Sequence, residues 1–361
     1  MTKQWKPLIS DAQLEELIAA YCNDFTALER EGRYDPITGR DREIDETILI
    51  LLQKGRKNAA LLAPAGVGKT ALVVGLAQQI NAGKVPSYLK NARVLEIDLA
   101  RMAAGTTGPA EFQARFIPLC KGIAERYHRK DQPRIILFID EIHQIMPTCT
   151  GSSYKGLSDV MKPYLTVGDL LVIGATTLDE FRMYVALDPA MDRRFQKVFL
   201  NQPNIQETYR ILQALRPGYE KHHNVRISNE QLMLIVHLTH EHMRKRNQPD
   251  KSIITMDSAM AYHVKEYGTD QDIGLEAIYY MVGRETGLNK AALHDEKKVR
   301  QIFKEVRQLE GQTGEPLEES AAVYNPSEQL KDVKIDQEYQ RQLKEEEFKR
   351  QRAEAEKNAK E

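Results

Sequence analysis

The sequence predicts an α/β protein in which a five-stranded parallel sheet lies between helices and is followed by a small helical domain. Five short apolar runs alternate with helix-sized segments, at residues 58–63, 93–99, 134–139, 170–176 and 197–201. Runs of this length that are apolar on both faces are typical of parallel strands covered by helices on both sides. After Pro203 the strand-like runs largely stop, and helical periodicity through Tyr267 predicts the helical domain, in which Ser228 is expected to cap a helix that starts near Asn229.

Composition excludes several classes of protein. The chain has 361 residues, 42% of them hydrophobic, with 51 Lys and Arg against 52 Asp and Glu. These values fit a globular chain of roughly two to three domains and exclude a collagen-like or wholly disordered one. The sequence shows no membrane-spanning run and no apolar N-terminal signal, so we expect a cytoplasmic protein. Its 3 cysteines are widely spaced, which favours neither a disulfide framework nor a zinc site.

The start of the chain is predicted to form one amphipathic helix over residues 10–31. Ser10 and Gln13 have the spacing of a capping box, and apolar residues then recur at helical spacing until Gly32. The last 18 residues have almost no apolar stripe, so they are expected to be a solvated helix or mobile, with a partner-binding tail as the alternative. The expected divisions are residues 1–34 (N-terminal helix), 35–202 (α/β domain), 203–270 (helical domain), 271–310 (helical extension) and 311–361 (linker and charged tail).

A glycine-rich turn between the first strand and the next helix predicts a triphosphate site. Backbone N–H groups of such a turn point to one spot, where the helix dipole also favours negative charge. Lys69 would reach the β- and γ-phosphates, and the Thr70 hydroxyl would ligate Mg²⁺. Ala63 occupies the first glycine position of the G-x-x-x-x-G-K-T pattern, and as the smallest replacement it is expected to be tolerated. The expected nucleotide-binding residues here are Ala65, Gly66, Val67, Gly68, Lys69, Thr70 and Ala71.

Two further strands end in side chains that suit phosphate hydrolysis. Asp140 and Glu141 follow the apolar run of residues 135–139. At the carboxyl edge of a parallel sheet, Asp140 would hold Mg²⁺ and Glu141 would polarise the attacking water. The next strand ends in Thr176 and Thr177, and we favour Thr176 as the group that meets the γ-phosphate or the water.

Arg193 and Arg194 form an adjacent pair after these strands. Paired guanidinium groups can compensate charge in a phosphoryl-transfer transition state, including one in the site of a neighbouring subunit. The residues alone are equally compatible with an ordinary surface ion pair.

These motifs resemble those of the first AAA+ module of Clp-type unfoldases and disaggregases. Two further stretches share the resemblance, LEREGRYDPITGRDREID before the motifs and RNQPDKSI after them. The resemblance covers about residues 17–268. It implies an AAA+ core with a helical lid, ATP as the nucleotide, and a homo-oligomer, usually a ring of six subunits with nucleotide at each interface. It identifies residues 66–70 with the Walker A loop, Asp140 and Glu141 with Walker B, Thr176 with sensor 1, and Arg193 and Arg194 with the arginine fingers.

The resemblance also implies an adenine site. Residues 35–40, including Thr38, are similar to the segment that lines the adenine, and Ile37 is the residue expected to pack on the ring. Ile211, Leu215 and Pro249 match lid positions on its other side.

One position departs from the Clp-type pattern. Those rings carry an aromatic pore-loop residue that grips the threaded polypeptide, but here Gly108, followed by Pro109, stands in its place. Glycine and proline supply no gripping side chain. The chain is also expected to lack a separate N-terminal substrate domain, a coiled coil inserted in the lid and a second AAA+ module. The parts that translocate polypeptide are therefore expected to be missing, and whether any threading occurs stays open from the sequence.

Two functions remain open from the sequence. The first is an oligomeric ATPase that remodels or assembles a protein partner. The second is an ATP-gated assembly or loading factor associated with nucleic acid, of the helicase-loader or transposition-regulator type. A net charge of −1 argues against the second, because it gives no overall attraction to nucleic acid. Short basic clusters at residues 126–130 and 244–246 are interpreted as solvated helix faces.

Overall fold

A six-stranded sheet forms the centre of the structure. We describe it from a computed structural model that covers residues 9–129, 132–149, 154 and 156–311, so the predicted tail lies outside the described residues. The five predicted strands are present and parallel, although the last begins two residues earlier than the predicted residue 197. The strands are β1 (Cys22–Asp24), β2 (Asn58–Leu62), β3 (Arg93–Ile97), β4 (Ile135–Ile139), β5 (Leu171–Thr176) and β6 (Phe195–Phe199), in the order β1-β3-β4-β5-β2-β6.

The N-terminal segment differs from the prediction. The capping box of Ser10 and Gln13 begins helix α1 (Asp11–Tyr21) as expected. The chain then leaves the helix, and β1 pairs antiparallel with β3 before helix α2 (Phe25–Arg30) begins. The prediction of a single helix over residues 10–31 was therefore wrong. The open edge of β3 offers hydrogen-bond partners that helical periodicity in the sequence does not reveal.

Helices cover both faces of the sheet, as predicted. The further helices of this part are α3 (Asp41–Leu51), α4 (Lys69–Asn81), α5 (Leu99–Ala103), α6 (Pro109–Tyr127), α7 (Leu157–Val167), α8 (Leu178–Glu180) and α9 (Pro189–Asp192). Apolar side chains of α1, α5, α6 and α7 share one core with one side of the strands, whereas those of α2, α3 and α4 pack on the other side. All five residues of both β2 and β4 are buried, which explains their continuous apolar sequence.

Helices alone form the described part of the chain after Pro203, which ends at residue 311. Capping boxes begin the first two of them, with Asn204 and Glu207 at one helix and the predicted Ser228, with Gln231, at the other. No helix among the described residues combines the length and apolar character needed to cross a bilayer. The helices are α10 (Ile205–His223), α11 (Asn229–His242), α12 (Asp250–Tyr267), α13 (Leu275–Thr286), α14 (Lys290–Leu293) and α15 (Glu296–Gly311).

Candidate active site

The carboxyl ends of β4, β5 and β2 lie side by side at one edge of the sheet. The backbone N–H of Ala63, just after β2, donates to the carbonyl oxygen of Thr176 at the end of β5 (3.2 Å). The glycine-rich loop, the pair Asp140–Glu141 and the Thr176 hydroxyl therefore occupy the same edge. This is the edge where ligands bind in open α/β sheets.

The glycine-rich loop has the backbone shape that the sequence predicts. Gly66 and Gly68 have φ angles of +78° and +106°, a region that residues with a side chain rarely adopt. Gly68 is the N-cap of α4, which begins at Lys69. Ala63 lies outside the left-handed region, so an alanine fits there without backbone strain.

Lys69 is buried within this loop. Its Nζ atom donates to the carbonyl oxygen of Ala63 at 3.0 Å, and only 9% of the residue is exposed. An ammonium held by a single carbonyl retains donors for phosphate oxygens. The other loop residues are arranged around it, with Ala65, Gly66 and Thr70 exposed, Gly68 and Ala71 half-buried and Val67 buried.

Asp140 and Glu141 form the acidic part of the site. Asp140 Oδ1 accepts the backbone N–H of Glu141 at 3.0 Å. Glu141 has φ +51° and ψ +50°, a left-handed conformation that is uncommon outside glycine and that concentrates at functional sites. Burial and the negative charges of Glu180 and Asp140 raise the pKa of Glu141 above its ordinary value. A carboxylate of raised pKa is a better proton acceptor near neutral pH.

The donor set near the loop suits Mg²⁺. The Thr70 hydroxyl is exposed and makes no side-chain hydrogen bond to the described residues, and the Asp140 carboxylate is half-buried at the same edge. Hydroxyl, carboxylate and phosphate oxygens are the ligands that this cation prefers. The residues present therefore fit a Mg²⁺ ion that accompanies a nucleotide.

Thr176 is fully buried and hydrogen-bonded to two side chains that the sequence analysis missed. Its Oγ1 atom donates to Glu180 Oε2 (2.8 Å) and lies 2.9 Å from His143 Nδ1. Thr177 instead forms a capping box with Glu180 at the start of α8, so its hydroxyl has a structural role. His143 and Glu180 follow Asp140 and Thr176 by three and four residues, but a sequence does not show that two such segments meet.

Arg40 ends the segment expected to line the adenine, and its contacts with the glycine-rich loop were not predicted. It is 7% exposed, and Nη2 donates to the carbonyl oxygens of Val67 (2.9 Å) and Asn201 (3.0 Å). Nη1 pairs with Glu43 at 2.9 Å. The guanidinium thereby joins the glycine-rich loop to the segment that leads into the helical region.

The segment expected to line the adenine lies against α10. The Ile37 N–H donates to Oε1 of Gln78, which is on α4, at 3.0 Å. A Cβ atom on Gly218 would lie 2.9 Å from Asp35 Oδ1, so α10 and this segment approach closely. Ile211 and Leu215 precede Gly218 by seven and three residues, which places them on the same face of the helix. Both are half-buried, whereas Thr38 is exposed.

The start of α12 contacts the glycine-rich loop directly, which the sequence did not predict. Asn247 Nδ2 donates to the carbonyl oxygen of Ala65 at 3.0 Å. A Cβ atom on Gly66 would lie 2.9 Å from Cβ of Asp250. Pro249, expected near the adenine, is the N-cap residue of α12 between these two contacts.

The structure does not bring Arg193 and Arg194 to the glycine-rich loop of their own chain. They immediately precede β6, which runs parallel to β2 with Asn58 opposite Phe195 and Leu62 opposite Phe199. The step of four residues along the strand from Asn58 to Leu62 spans about 13 Å. The arginines lie at the Asn58 end, whereas the glycine-rich loop follows the Leu62 end. Neither guanidinium forms an ion pair with a carboxylate of the described residues, although Arg193 Nε donates to the Pro189 carbonyl oxygen at 3.0 Å.

Comparison with known families defines the class of protein. Residues 59–203 match the model of the ATPase family associated with various cellular activities (AAA), and residues 204–310 match that of the AAA lid domain. The chain therefore belongs to the AAA ATPases, a family of ATP-hydrolysing enzymes, and the predicted AAA+ fold with a lid is confirmed.

Within this class the chain is similar to ClpB and Hsp104. It is 40% identical to chaperone protein ClpB of Gloeobacter violaceus over 246 residues, 68% of this chain and 28% of the relative. It is 36% identical to ClpB 1 of Synechocystis over 315 residues, 83% of this chain and 34% of the relative. The structure of a Saccharomyces cerevisiae Hsp104–ADP complex aligns with a TM-score of 0.70 at 32% identity, covering 81% of this chain and 49% of that one. The resemblance to a Clp-type module is confirmed, and the chain spans about a third of the length of these ClpB relatives.

Replacement of Gly66 by alanine tests the loop. A Gly66→Ala variant would need a left-handed alanine and would push its Cβ against Asp250, so we expect its affinity for ATP to fall about tenfold or more, as strain of this kind implies. Ala63→Gly, which completes the glycine pattern, is the matched control and should bind ATP like the unchanged chain. Titration with a fluorescent ATP analogue measures both, and equal affinity in the Gly66→Ala variant would contradict the loop assignment.

Proposed function

We propose that this chain is an oligomeric ATPase whose hydrolytic site is completed by a neighbouring subunit and whose output is the remodelling or assembly of a protein partner. One observation supports it above the others. The phosphate-binding loop, the pair Asp140–Glu141 and Thr176 converge at one edge of the sheet, while Arg193 and Arg194 lie at the opposite end of the adjacent strand.

The residues at the edge divide the chemistry among them. The loop N–H groups and Lys69 bind the phosphates of ATP, and Thr70 and Asp140 hold Mg²⁺. The metal ion, when bound, supplies positive charge that offsets the charge of the phosphate oxygens. Glu141 accepts a proton from the attacking water, because it is the carboxylate of raised pKa beside the loop. Thr176 contacts the γ-phosphate or the water.

The adenine fits between the two parts of the molecule. Ile37, with Thr38 beside it, forms one wall, and Ile211 and Leu215 on α10 form the other. Pro249 closes the site at the start of α12. Because α10 and α12 both belong to the lid, bound nucleotide would hold the lid against the sheet domain, and its loss would release that contact.

Arg193 and Arg194 act on ATP bound by another copy of the chain. Their separation from the loop of their own chain excludes direct contact within one subunit, and the lack of ion pairs to described carboxylates leaves both charges available for phosphate oxygens. Guanidinium groups supplied in trans stabilise the charge that develops on the transferred phosphoryl group. The assembly is therefore a homo-oligomer, of the ring or helical kind, with nucleotide at its interfaces.

A protein partner is favoured over nucleic acid. The basic cluster at residues 126–130 is largely engaged in ion pairs, because Arg126 contacts Glu15 (2.6 Å) and Arg129 contacts Asp11 (2.8 Å). Threading is not proposed, because the position of the pore-loop aromatic is Gly108. A Cβ atom there would meet no other atom within 4 Å, so the loop presents open space where an aromatic would grip.

A Glu141→Gln variant separates binding from hydrolysis. The amide keeps the size of the side chain but cannot accept the proton, so turnover should fall about 100-fold or more while ATP stays bound. Steady-state phosphate release and nucleotide titration provide the two measurements. Glu285→Gln, an exposed change on α13, is the control and should leave both values unaltered. Undiminished hydrolysis in the Glu141→Gln variant would refute the role of Glu141.

Mixing two inactive variants tests whether the arginines act in trans. Lys69→Ala subunits cannot bind ATP productively but keep their arginines, whereas Arg193→Ala/Arg194→Ala subunits keep the loop and Glu141. If the arginines serve a neighbour, the mixture gains complete sites and hydrolysis should reappear.

The control mixture combines Lys69→Ala with Glu141→Gln. Both lesions then lie in the loop-bearing half of the site, so no interface is complete and no activity should return. Recovery that is absent from the first mixture, or equal in both, would contradict action in trans.

A further inference from the structure

A buried polar cluster links the ends of β4 and β5 behind Glu141. His143 Nδ1 lies 2.9 Å from Thr176 Oγ1, 3.3 Å from Glu141 Oε2 and 3.5 Å from Glu180 Oε2. His143 is in a short 3₁₀ turn, Ile142–Ile145, and is 9% exposed. Its ring stacks on Tyr184 with 5.7 Å between centroids and an interplanar angle of 25°. The imidazole is thus held in place on its face as well as at its edge.

The position of the protons in this cluster follows from the available donors. Glu180 Oε2 accepts the N–H of Thr177 (3.0 Å), the hydroxyl of Thr177 (2.7 Å) and the hydroxyl of Thr176 (2.8 Å). Burial alone raises the pKa of Glu180, but these hydrogen bonds outweigh burial and hold the pKa below its usual value, so Glu180 is an ionised acceptor. A hydroxyl has one proton, and Thr176 gives it to Glu180. Thr176 can then only accept from His143, and Nδ1 must carry a proton.

The same proton excludes a different interpretation of the cluster. Glu141, His143 and Glu180 each place a ligand atom within 4.8 Å of the others, a grouping that could hold a metal ion. A metal would bind Nδ1 through the lone pair that the proton occupies. The contact with Thr176 therefore favours a hydrogen-bond network over a cation site.

Glu141 needs such support because its own backbone does not fix the carboxylate. The chain leaves β4 at Asp140 and turns sharply at Glu141, which is in the left-handed region, and 41% of the Glu141 side chain is exposed. A carboxylate on a turn of this kind can point in several directions. The Nδ1–H edge of His143 lies between this carboxylate and Thr176.

We propose that His143 is a positioning residue for ATP hydrolysis, whose Nδ1–H group aligns the Glu141 carboxylate with the Thr176 hydroxyl. The proposal rests on the proposed hydrolytic role of Glu141. One imidazole edge holds the proton acceptor and the Thr176 hydroxyl in fixed relation to each other. His143 acts through these two groups and takes no part in the reaction itself.

Two substitutions separate this role from packing. In His143→Asn the side-chain amide N–H lies near the position of Nδ1 and keeps the donor, whereas His143→Leu fills similar space without one. We expect kcat to fall about tenfold or more in His143→Leu, in line with loss of a hydrogen bond to a charged group. ATP affinity should stay unchanged, and His143→Asn should recover most of kcat.

Either of two results would overturn the proposal. The first is a His143→Leu variant with the kcat of the unchanged chain. The second is a His143→Asn variant as slow as His143→Leu, because a donor at the Nδ1 position would then be irrelevant. Thermal unfolding of both variants shows whether a loss of kcat accompanies a loss of folded protein.

A spectroscopic measurement tests the proton position without any turnover. Nitrogen-15 labelling of histidine in the full, nucleotide-free chain reports which ring nitrogen carries hydrogen, and the His143→Asn spectrum assigns the signal. A protonated Nδ1, in the neutral or the charged ring, supports the proposal, and a bare Nδ1 overturns it. The exposed His128, which pairs with Asp169 at 3.0 Å, serves as an internal reference. A chain that fails to hydrolyse ATP would refute the proposed function, but this spectrum would still decide the proton position.

Discussion

The hydrogen bonds of Ala63 hold the candidate site together. Its N–H bonds the carbonyl oxygen of Thr176, and its own carbonyl accepts the ammonium of Lys69. These two bonds fix the beginning of the glycine-rich loop to the adjacent strand and to the Lys69 ammonium within the loop. Buried polar groups have to be satisfied in this way, because an unpaired amide or ammonium would be costly. The positions of Glu141 and Thr176 relative to the loop depend on this attachment.

The glycine-rich loop is also connected to the lid, through hydrogen bonds from the side chains of two residues. Arg40 bonds the loop carbonyl of Val67 and the Asn201 carbonyl just before the lid begins. Asn247, at the start of α12, bonds the carbonyl of Ala65. In the proposed function, a nucleotide that moves the loop would act on the lid through both of these connections. Such paired contacts can convert the state of a small ligand into a movement of two domains.

Local patterns in the sequence were sufficient for much of the fold and for part of the site. The five parallel strands and the Ser228 cap were predicted because burial on both faces and capping residues leave signals within a few residues. The backbone shape of the glycine-rich loop was predicted because the φ angles of Gly66 and Gly68 lie in a region that glycine tolerates best. Strand β1 was missed because its pairing partner lies about 70 residues away. His143, Glu180 and the loop contacts of Arg40 were missed for the same reason, since their roles arise only where distant segments meet.

The proposed function depends above all on binding of the ATP triphosphate by this loop, with Lys69 and Mg²⁺ contributing to the binding. Calorimetric titration of the full chain with ATP in the presence of Mg²⁺ measures this binding. We expect about one ATP for each chain, and binding that is lost in a Lys69→Ala variant and weakened when Mg²⁺ is removed. Binding that is absent from the unchanged chain, or undiminished in Lys69→Ala, would contradict it.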